Sequence, residues 1–334
     1  MKGERVLLLS VIIIGRNEGE RLKKCLHSAQ AIELNGAFEV IYVDSGSSDG
    51  SVALAKSLGA RVLEVTHARP TAARGRNLGL SEAHAEFVFF LDGDTVIEPK
   101  FAAKALAYLS DHEKTAVVWG HRRELRPNES IYNRVLDLDW IYPAGETSFC
   151  GGDTVMRSSV LKEVGPFRED LVAGEEPELC NRIRGAGYRI FHMDTPMTAH
   201  DLAIHSFKGY WLRCYRAGHA YAEVAGITHG ETFGSESKRN RIQGLAYLVI
   251  PILLPVIGLL GVVPLPWWWG LAALVLGAGT VALRTTWRAR WRGASPFTTL
   301  LYAIHSHFCQ IPIWFGQILF RNKRENAGAI IEYK

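Results

Sequence analysis

Two aspartates separated by a single glycine follow an apolar run in the first third of the chain. Asp92 and Asp94 come directly after residues 87–91, which are all apolar. Carboxylates at this spacing repel each other, and a bridging cation relieves the repulsion. Hard divalent cations such as Mg²⁺ or Mn²⁺ prefer such oxygen ligands and leave room for phosphate oxygens. Most pairs of this kind are solvated turns, so it is the position after a buried strand that favours a metal site.

A second acidic pair lies at a predicted helix start, where Glu175 and Glu176 follow Gly174. Group transfer with inversion needs a carboxylate that deprotonates the attacking hydroxyl and a metal that neutralises the departing diphosphate. A helix N-terminus also favours acidic residues through its dipole, so the pair alone does not establish a base. Either glutamate could take the role.

Two further loops offer groups for a nucleotide. Asp44 ends residues 38–43 and precedes a turn rich in serine and glycine, where it could accept hydrogen bonds from a base or ribose. A plain helix-starting loop is the alternative. Arg74 and Arg76 lie near a predicted helix N-terminus, which disfavours arginine unless an anion is bound there. A bound diphosphate would explain both arginines, and surface solubility is the other explanation.

The pattern around these loops predicts an α/β fold. Short apolar, β-branched or aromatic runs predict strands at residues 6–14, 38–43, 61–64 and 87–91. Helical patterns lie between them at residues 18–31, 50–58 and 73–83. This alternation predicts a doubly wound, mostly parallel sheet buried on both faces. Ligands of such sheets bind at the carboxyl ends of the strands, where the polar loops lie.

The order and spacing of these segments resemble the family 2 glycosyltransferases of the GT-A fold, across residues 10–218. The segments that carry the resemblance are Asn17-Glu18 and residues 43–49, 75–77, 91–94, 151–153, 165–167, 175–179 and 187–188. Within residues 175–179, Glu176 stands where the family usually has a catalytic aspartate. A carboxylate one methylene longer can still act as a base with a different reach.

The resemblance implies an inverting enzyme that uses a nucleotide-diphosphate sugar. Together with the loops above, it gives a donor site made of Asn17, Glu18, Asp44, Arg74, Arg76 and Asp92. It assigns Gly152 and Asp153 to the acceptor. It implies Asp92, Asp94 and His200 as metal ligands, with His205 as the competing histidine.

The C-terminal third has a different character. Residues 244–263 and 267–283 are uncharged and long enough to cross a ~30 Å hydrocarbon core. Residues 264–266, Pro-Leu-Pro, separate them, and Trp267, Trp268 and Trp269 suit an interfacial aromatic belt. Lys and Arg cluster outside the two runs and are absent between them, which places both ends in the cytoplasm. A buried hairpin of a soluble domain is the alternative.

Residues 297–320 are apolar but contain polar residues such as His305 and His307, and basic clusters flank them. We expect an amphipathic helix lying in the membrane interface, with a third span as the alternative. The chain is thus predicted to have a GT-A domain at residues 1–240 and a membrane-anchoring helical region at residues 241–334.

The net charge, the cysteine content and the N-terminal segment limit the possible functions and locations of the protein. The formal net charge of +4 is too small to indicate a nucleic-acid partner. The five cysteines are scattered, which favours neither a zinc site nor a disulfide framework. No signal peptide is expected, because charged residues end the first apolar run. We predict transfer of one sugar to a lipid-linked or glycan acceptor at the cytoplasmic face of the inner membrane. A processive polysaccharide synthase and a noncatalytic membrane-associated binding protein are the alternatives.

Overall fold

The computed structural model describes residues 7–67, 69–263, 266 and 268–325, the last five of these by their backbone alone. In chain order the first elements are β1 (Leu7–Gly15), α1 (Glu20–Gln30), β2 (Ala37–Asp44), α2 (Ser51–Ser57), β3 (Arg61–Glu64), α3 (Ala72–Ser81), β4 (Phe87–Asp92), β5 (Thr95–Ile97), α4 (Phe101–Asp111), β6 (Thr115–Glu124) and α5 (Ile131–Asp139). The later elements are β7 (Gly145–Thr147), β8 (Thr154–Arg157), α6 (Ser158–Val164), α7 (Glu175–Gly185), β9 (Arg189–His200), α8 (Phe207–Ile227), α9 (Gly234–Leu259), α10 (Trp269–Ala289), a 3₁₀ turn (Arg290–Arg292), α11 (Pro296–Phe308) and α12 (Gln310–Glu325).

The first compact unit comprises Met1–Leu125 and Trp140–Leu202 and contains a nine-stranded sheet. The main strand order is β3-β2-β1-β4-β8-β6-β9-β5, and β7 pairs with β9. Strands β3, β2, β1 and β4 are parallel, as the sequence predicts, while β8 runs antiparallel between β4 and β6. The four predicted strands and the three predicted helices are confirmed, and the observed ends lie within two residues of the predicted ends.

The sheet aligns the ends of its central strands. Gly15 of β1 pairs with Asp44 of β2, and Ile14 pairs with Asp92 of β4, so three strands end in one row. Helix α3 lies close against this part of the sheet, because a Cβ added at Gly79 would overlap the side chain of Ile12. The loops that follow β1, β2 and β4 and the N-terminal half of α3 therefore converge on one edge.

The second compact unit comprises Arg126–Asp139 and Ala203–Lys334. Its helices pack by close backbone approach. A Cβ added at Gly218 of α8 would overlap the carbonyl of Ile313, and one added at Gly316 of α12 would overlap the carbonyl of Tyr215. Helix α8 therefore packs with the C-terminal helices, and the two compact units divide at residues 202 and 203, whereas the predicted domain boundary is at residue 240.

Helices α9 and α10 are long and apolar enough to cross a membrane. Their apolar side chains are largely exposed, with Ile252 at 68% and Leu276 at 71%. A core hairpin of a soluble domain would bury such residues, so this exposure favours the membrane interpretation. Of the predicted turn, Pro264, Leu265 and Trp267 lie outside the described residues.

The segment expected to form one interfacial helix forms two, α11 and α12, separated at Cys309. The break has a local cause, because Pro312 has no N–H to continue the hydrogen bonding of α11. One face of α11 is held inside the unit by His305, whose ring nitrogens lie 2.7 Å from the Tyr210 hydroxyl and 2.9 Å from an Asp139 carboxylate oxygen. The expectation of a single continuous helix was wrong.

Candidate active site

Three predicted metal ligands come together at the ends of β4 and β9. Asp92 ends β4, Asp94 precedes β5, and His200 ends β9. Pairing of Thr95 with His200 between β5 and β9 sets Asp94 beside the imidazole. Each of the three side chains offers a ligand atom, and these atoms all lie within 4.8 Å of one another. His205 lies in the second unit and is not part of this group, so the grouping selects His200 over it.

The chemistry of this group fits a divalent cation. Asp94 Oδ1 and His200 Nδ1 are buried and make no well-aligned hydrogen bond, although His200 Nε2 lies 3.1 Å from that carboxylate oxygen. Burial disfavours the Asp94 carboxylate, but His200 together with the charges of Arg122 and Arg21 outweighs this effect and holds the pKa of Asp94 below its usual range. Two carboxylates and an imidazole form a donor set that suits Mn²⁺ and can also hold Mg²⁺.

Arg76 occupies the centre of an acidic cluster. Its guanidinium lies 3.1 Å from Asp92, 2.7 Å from Glu175 and 3.0 Å from Glu176. Burial opposes its charge, but the three carboxylates raise the pKa of Arg76 above its usual value. Arg76 thus joins Asp92 to the two glutamates, and its predicted contact with a diphosphate stays a prediction. Arg74, the other predicted diphosphate ligand, pairs with Glu169 at 2.8 Å.

Helix α7 presents the two glutamates at its N-terminus. Arg182, in the last turn of this helix, donates to the carbonyls of Val164 and Gly165 at 2.7 and 2.9 Å and pairs with Glu178 at 2.9 Å. These bonds fix the helix against the loop after α6. The orientation of Glu175 and Glu176 is therefore set by contacts made along the whole helix.

Glu176 has the properties of a base. Burial raises its pKa from the ordinary 4.5 to about 7, the charge of Glu175 adds to the rise, and Arg76 opposes it. The side chain is more exposed than that of Glu175, at 16% against 7%. It also faces Gly152, where an added Cβ would lie 3.3 Å from Glu176 Oε1 and 3.2 Å from Asp92 Oδ2. Gly152 therefore leaves space next to both the base and a metal ligand.

Asp153 has an internal position. Its carboxylate is fully buried and accepts hydrogen bonds from the Asp92 N–H at 3.2 Å and the Thr198 hydroxyl at 2.8 Å. Burial raises the pKa of Asp153, and nearby Arg122 limits the rise. These contacts hold the loop that carries Asp92, and the acceptor-binding role that the resemblance implies for Asp153 stays a prediction.

The loops after β1 and β2 are tied to each other. Asn17 has a left-handed backbone with φ 56°, and its side chain accepts from the Ser48 N–H at 2.8 Å. Asp44 is buried, and its oxygens accept from the Tyr42 hydroxyl at 2.8 Å and the Ser47 N–H at 2.7 Å. Glu18 pairs with Arg21 at 2.7 Å. Asp44 thus shapes its own turn, and its predicted hydrogen bonds with a base or ribose stay a prediction.

Arg122 and Trp140 are site residues that the sequence analysis did not find. Arg122 lies near the end of β6, a strand that the apolar pattern did not reveal because its last residues are polar. Its guanidinium lies 3.4 Å from Asp92 and 3.4 Å from Asp153, and it stacks 5.0 Å from the centre of the Trp140 ring. A strand ending in two arginines at the same sheet edge was the available signal.

Residues 10–164 match the protein family described as Glycosyl transferase family 2. The chain carries a family 2 glycosyltransferase domain. It is 29% identical over 210 residues to the pre-mycofactocin glycosyltransferase of Mycobacterium tuberculosis, covering 58% of this chain and 42% of that protein. It is 23% identical over 192 residues to the glycosyltransferase AglE of Haloferax volcanii, covering 54% and 63%. The chain thus matches less than two thirds of the length of either relative.

Solved structures confirm the GT-A-type fold. The mannosyltransferase PcManGT from Pyrobaculum calidifontis, in complex with GDP-Man and Mn²⁺, superposes with a TM-score of 0.63 at 19% identity, covering 92% of this chain and 91% of that one. Residues 1–349 of S. aureus TarS give a TM-score of 0.53 at 14% identity, covering 96% and 92%. Identities this low establish the fold alone.

Proposed function

We propose that this family 2 domain makes the protein an inverting, metal-dependent glycosyltransferase that moves one sugar from a nucleotide-diphosphate sugar to a lipid-linked or glycan acceptor. The observation that carries the proposal is the joining of two groups through Arg76. One is the Asp92, Asp94 and His200 cluster, and the other is the raised-pKa carboxylate of Glu176. A neighbour of the same fold holds GDP-Man and Mn²⁺, and another holds UDP-GlcNAc, which supports a donor of this class.

In this mechanism Glu176 accepts the proton of the attacking acceptor hydroxyl. A base whose pKa is near 7 is about half ionised at neutral pH and retains affinity for the proton. Arg76 orients the Glu176 carboxylate and links it to Asp92. A cation held by Asp92, Asp94 and His200 would neutralise charge on the leaving diphosphate. Direct attack by the deprotonated acceptor, without a covalent intermediate on the enzyme, inverts the anomeric carbon.

We further propose that α9 and α10 anchor the protein in the cytoplasmic membrane, with the catalytic unit in the cytoplasm. The exposed apolar surface of both helices and the basic clusters at the outer ends of the hairpin support this. Helix α11 adds an exposed apolar stripe of Phe297, Ile304 and Phe308, which suits an interfacial position. This location fits synthesis of a cell-surface polysaccharide or glycolipid.

A processive synthase is the second candidate. The chain is 24% identical over 181 residues to the poly-beta-1,6-N-acetyl-D-glucosamine synthase of Staphylococcus epidermidis, covering 49% of this chain and 43% of that protein. Against it, two helices among the described residues qualify as spans, which is few for a polymer channel. The length distribution of the product separates the two functions.

The test is a donor screen with the full-length protein in lipid nanodiscs. UDP- and GDP-linked sugars are offered with Mn²⁺, and release of the nucleoside diphosphate is measured together with the mass of the product on lipid-linked acceptors. We expect turnover with one nucleotide class, loss of turnover in EDTA and a single added sugar. A ladder of products would favour the synthase. Folded protein that releases no diphosphate from any donor would favour a noncatalytic binding protein.

A further inference from the structure

Arg122 connects two carboxylates that have different functions in the site. Its Nη2 lies 3.4 Å from Asp92 Oδ2, and its Nε lies 3.4 Å from Asp153 Oδ2. Asp92 belongs to the metal group, whereas Asp153 accepts from the Asp92 N–H and from the Thr198 hydroxyl of β9. The guanidinium therefore holds the Asp92 side chain and also the residue that fixes the Asp92 backbone.

Trp140 fixes the guanidinium and also meets a second metal ligand. Its ring stacks on Arg122 at 5.0 Å, and the ring of His200 stands nearly perpendicular to it at 5.0 Å and 85°. An arginine with a side-chain exposure of 13% between two carboxylates and an indole ring has little freedom to move. Asp92 and His200 are thus both supported by the pair Arg122 and Trp140.

We propose that Arg122, held by Trp140, is a positioning residue that aligns Asp92 and His200 for the divalent cation. The proposal rests on the metal-dependent function proposed above. Without the guanidinium, Asp153 would be a buried charge without its main counter-charge, and such a group moves out of its position. This movement weakens the hydrogen bond from the Asp92 N–H to Asp153 and loosens Asp92 as a metal ligand.

Simple electrostatics predicts the opposite effect, which makes the proposal testable. Arg122 is a cation 3.4 Å from a ligand of another cation, so removing its charge should by itself tighten metal binding. Support of a metal ligand by neighbouring residues typically contributes about 10–100-fold to metal affinity. The proposal holds that this support outweighs the repulsion.

The experiment measures Mn²⁺ affinity by electron paramagnetic resonance on the full-length protein without donor or acceptor. Asp94→Ala identifies the signal that belongs to this site. We expect the Kd for Mn²⁺ to rise about 10–100-fold in Arg122→Met. We expect a rise in Arg122→Lys as well, because one ammonium group cannot span both carboxylates. Trp140→Leu should raise the Kd without changing the charge of the site, while Trp140→Phe should stay close to wild type.

Arg123→Met is the matched control, since Arg123 is the exposed neighbour on the opposite face of β6 and its loss should leave the Kd unchanged. Tighter or unchanged Mn²⁺ binding in both Arg122 variants would overturn the positioning role and leave the proposed function intact. If either Arg122 variant fails to fold, as judged by its thermal transition, the two Trp140 variants decide. Equal Kd values for Trp140→Leu and wild type would then reject the role. Wild-type protein without an Asp94-dependent Mn²⁺ site would remove both the metal-dependent function and this inference.

Discussion

The acid limb of the pH–rate profile is the sharpest test of the catalytic assignment. A pKa of about 7 for Glu176 means that the base is neutral, and therefore inactive, at acidic pH. At about pH 6, one unit below this value, about a tenth of the enzyme carries the ionised base, so kcat/KM should be about a tenth of its plateau. An ordinary glutamate, whose pKa is 4.5, would keep the rate constant over this range.

The neighbours of Glu176 allow the limb to be moved in a predicted direction. Glu175→Gln removes a negative charge that raises the pKa of Glu176. Arg76 then pairs with the Glu176 carboxylate without competition from a second carboxylate at position 175. Both effects lower the pKa, so the limb should shift to lower pH. Glu178→Gln is the control, because this carboxylate lies in the same helix but pairs with Arg182, and the limb should stay near pH 7.

The assay is the initial rate of nucleoside diphosphate release at saturating Mn²⁺ between about pH 5 and pH 9. Glu176→Gln keeps the shape of the side chain and should lower kcat by about 10²–10⁴-fold or more, with donor binding little changed. A limb that rises or stays fixed in Glu175→Gln would refute the electrostatic reasoning. A dead Glu175→Gln enzyme beside an active Glu176→Gln enzyme would exchange the two roles, and retention at the anomeric carbon would overturn the mechanism.

Three further predictions concern the metal, the topology and the packing. Asp92→Ala or Asp94→Ala should abolish Mn²⁺-dependent transfer with little change in the thermal transition, and an active Asp94→Ala enzyme would reject the metal site. The five cysteines are all buried, so a cysteine introduced at exposed Trp268 can be labelled selectively. It should react with an impermeant maleimide from outside the cell, and labelling from the cytoplasm alone would refute the topology. Gly218→Ala should destabilise the protein by about 1–3 kcal/mol in a thermal unfolding assay, because no space exists for a Cβ at this position. Gly277→Ala is the control, because Gly277 lies in open space on α10 and its replacement should not destabilise the protein. Equal unfolding transitions for the two variants would show that the close contact between the helices is unimportant.

Local patterns predicted the parallel half of the sheet because each strand there is a continuous apolar run. The same patterns placed Asp92 and Asp94 correctly at a strand end, since parallel strands align their carboxyl ends. They could not predict the partners of Arg76, because Glu175 lies 99 residues away in sequence and the helix-dipole argument considers only the local helix. They also missed β6, whose last residues are polar or charged, and with it Arg122.

The division into compact units at residue 202 could not be predicted for a related reason. Hydropathy distinguishes segments that favour lipid from segments that favour water, and α8 is polar enough to be grouped with the catalytic unit. One face of α8 nevertheless packs against α12. The two helices approach closely at Gly218 and Gly316, and a hydropathy scale does not detect such backbone contacts.

The contact between α8 and α12 also has a consequence for biosynthesis. The two helices are separated by 82 residues, 228–309, which include the apolar hairpin, so α8 leaves the ribosome long before the surface that covers it exists. In the topology proposed above, unit two can therefore complete its packing only after the hairpin has entered the membrane and α12 has been made. A stop codon just before α12 should therefore leave a chain that inserts into the membrane but remains incompletely packed. We expect membrane quality control to degrade this chain, even though it contains every residue of the catalytic site.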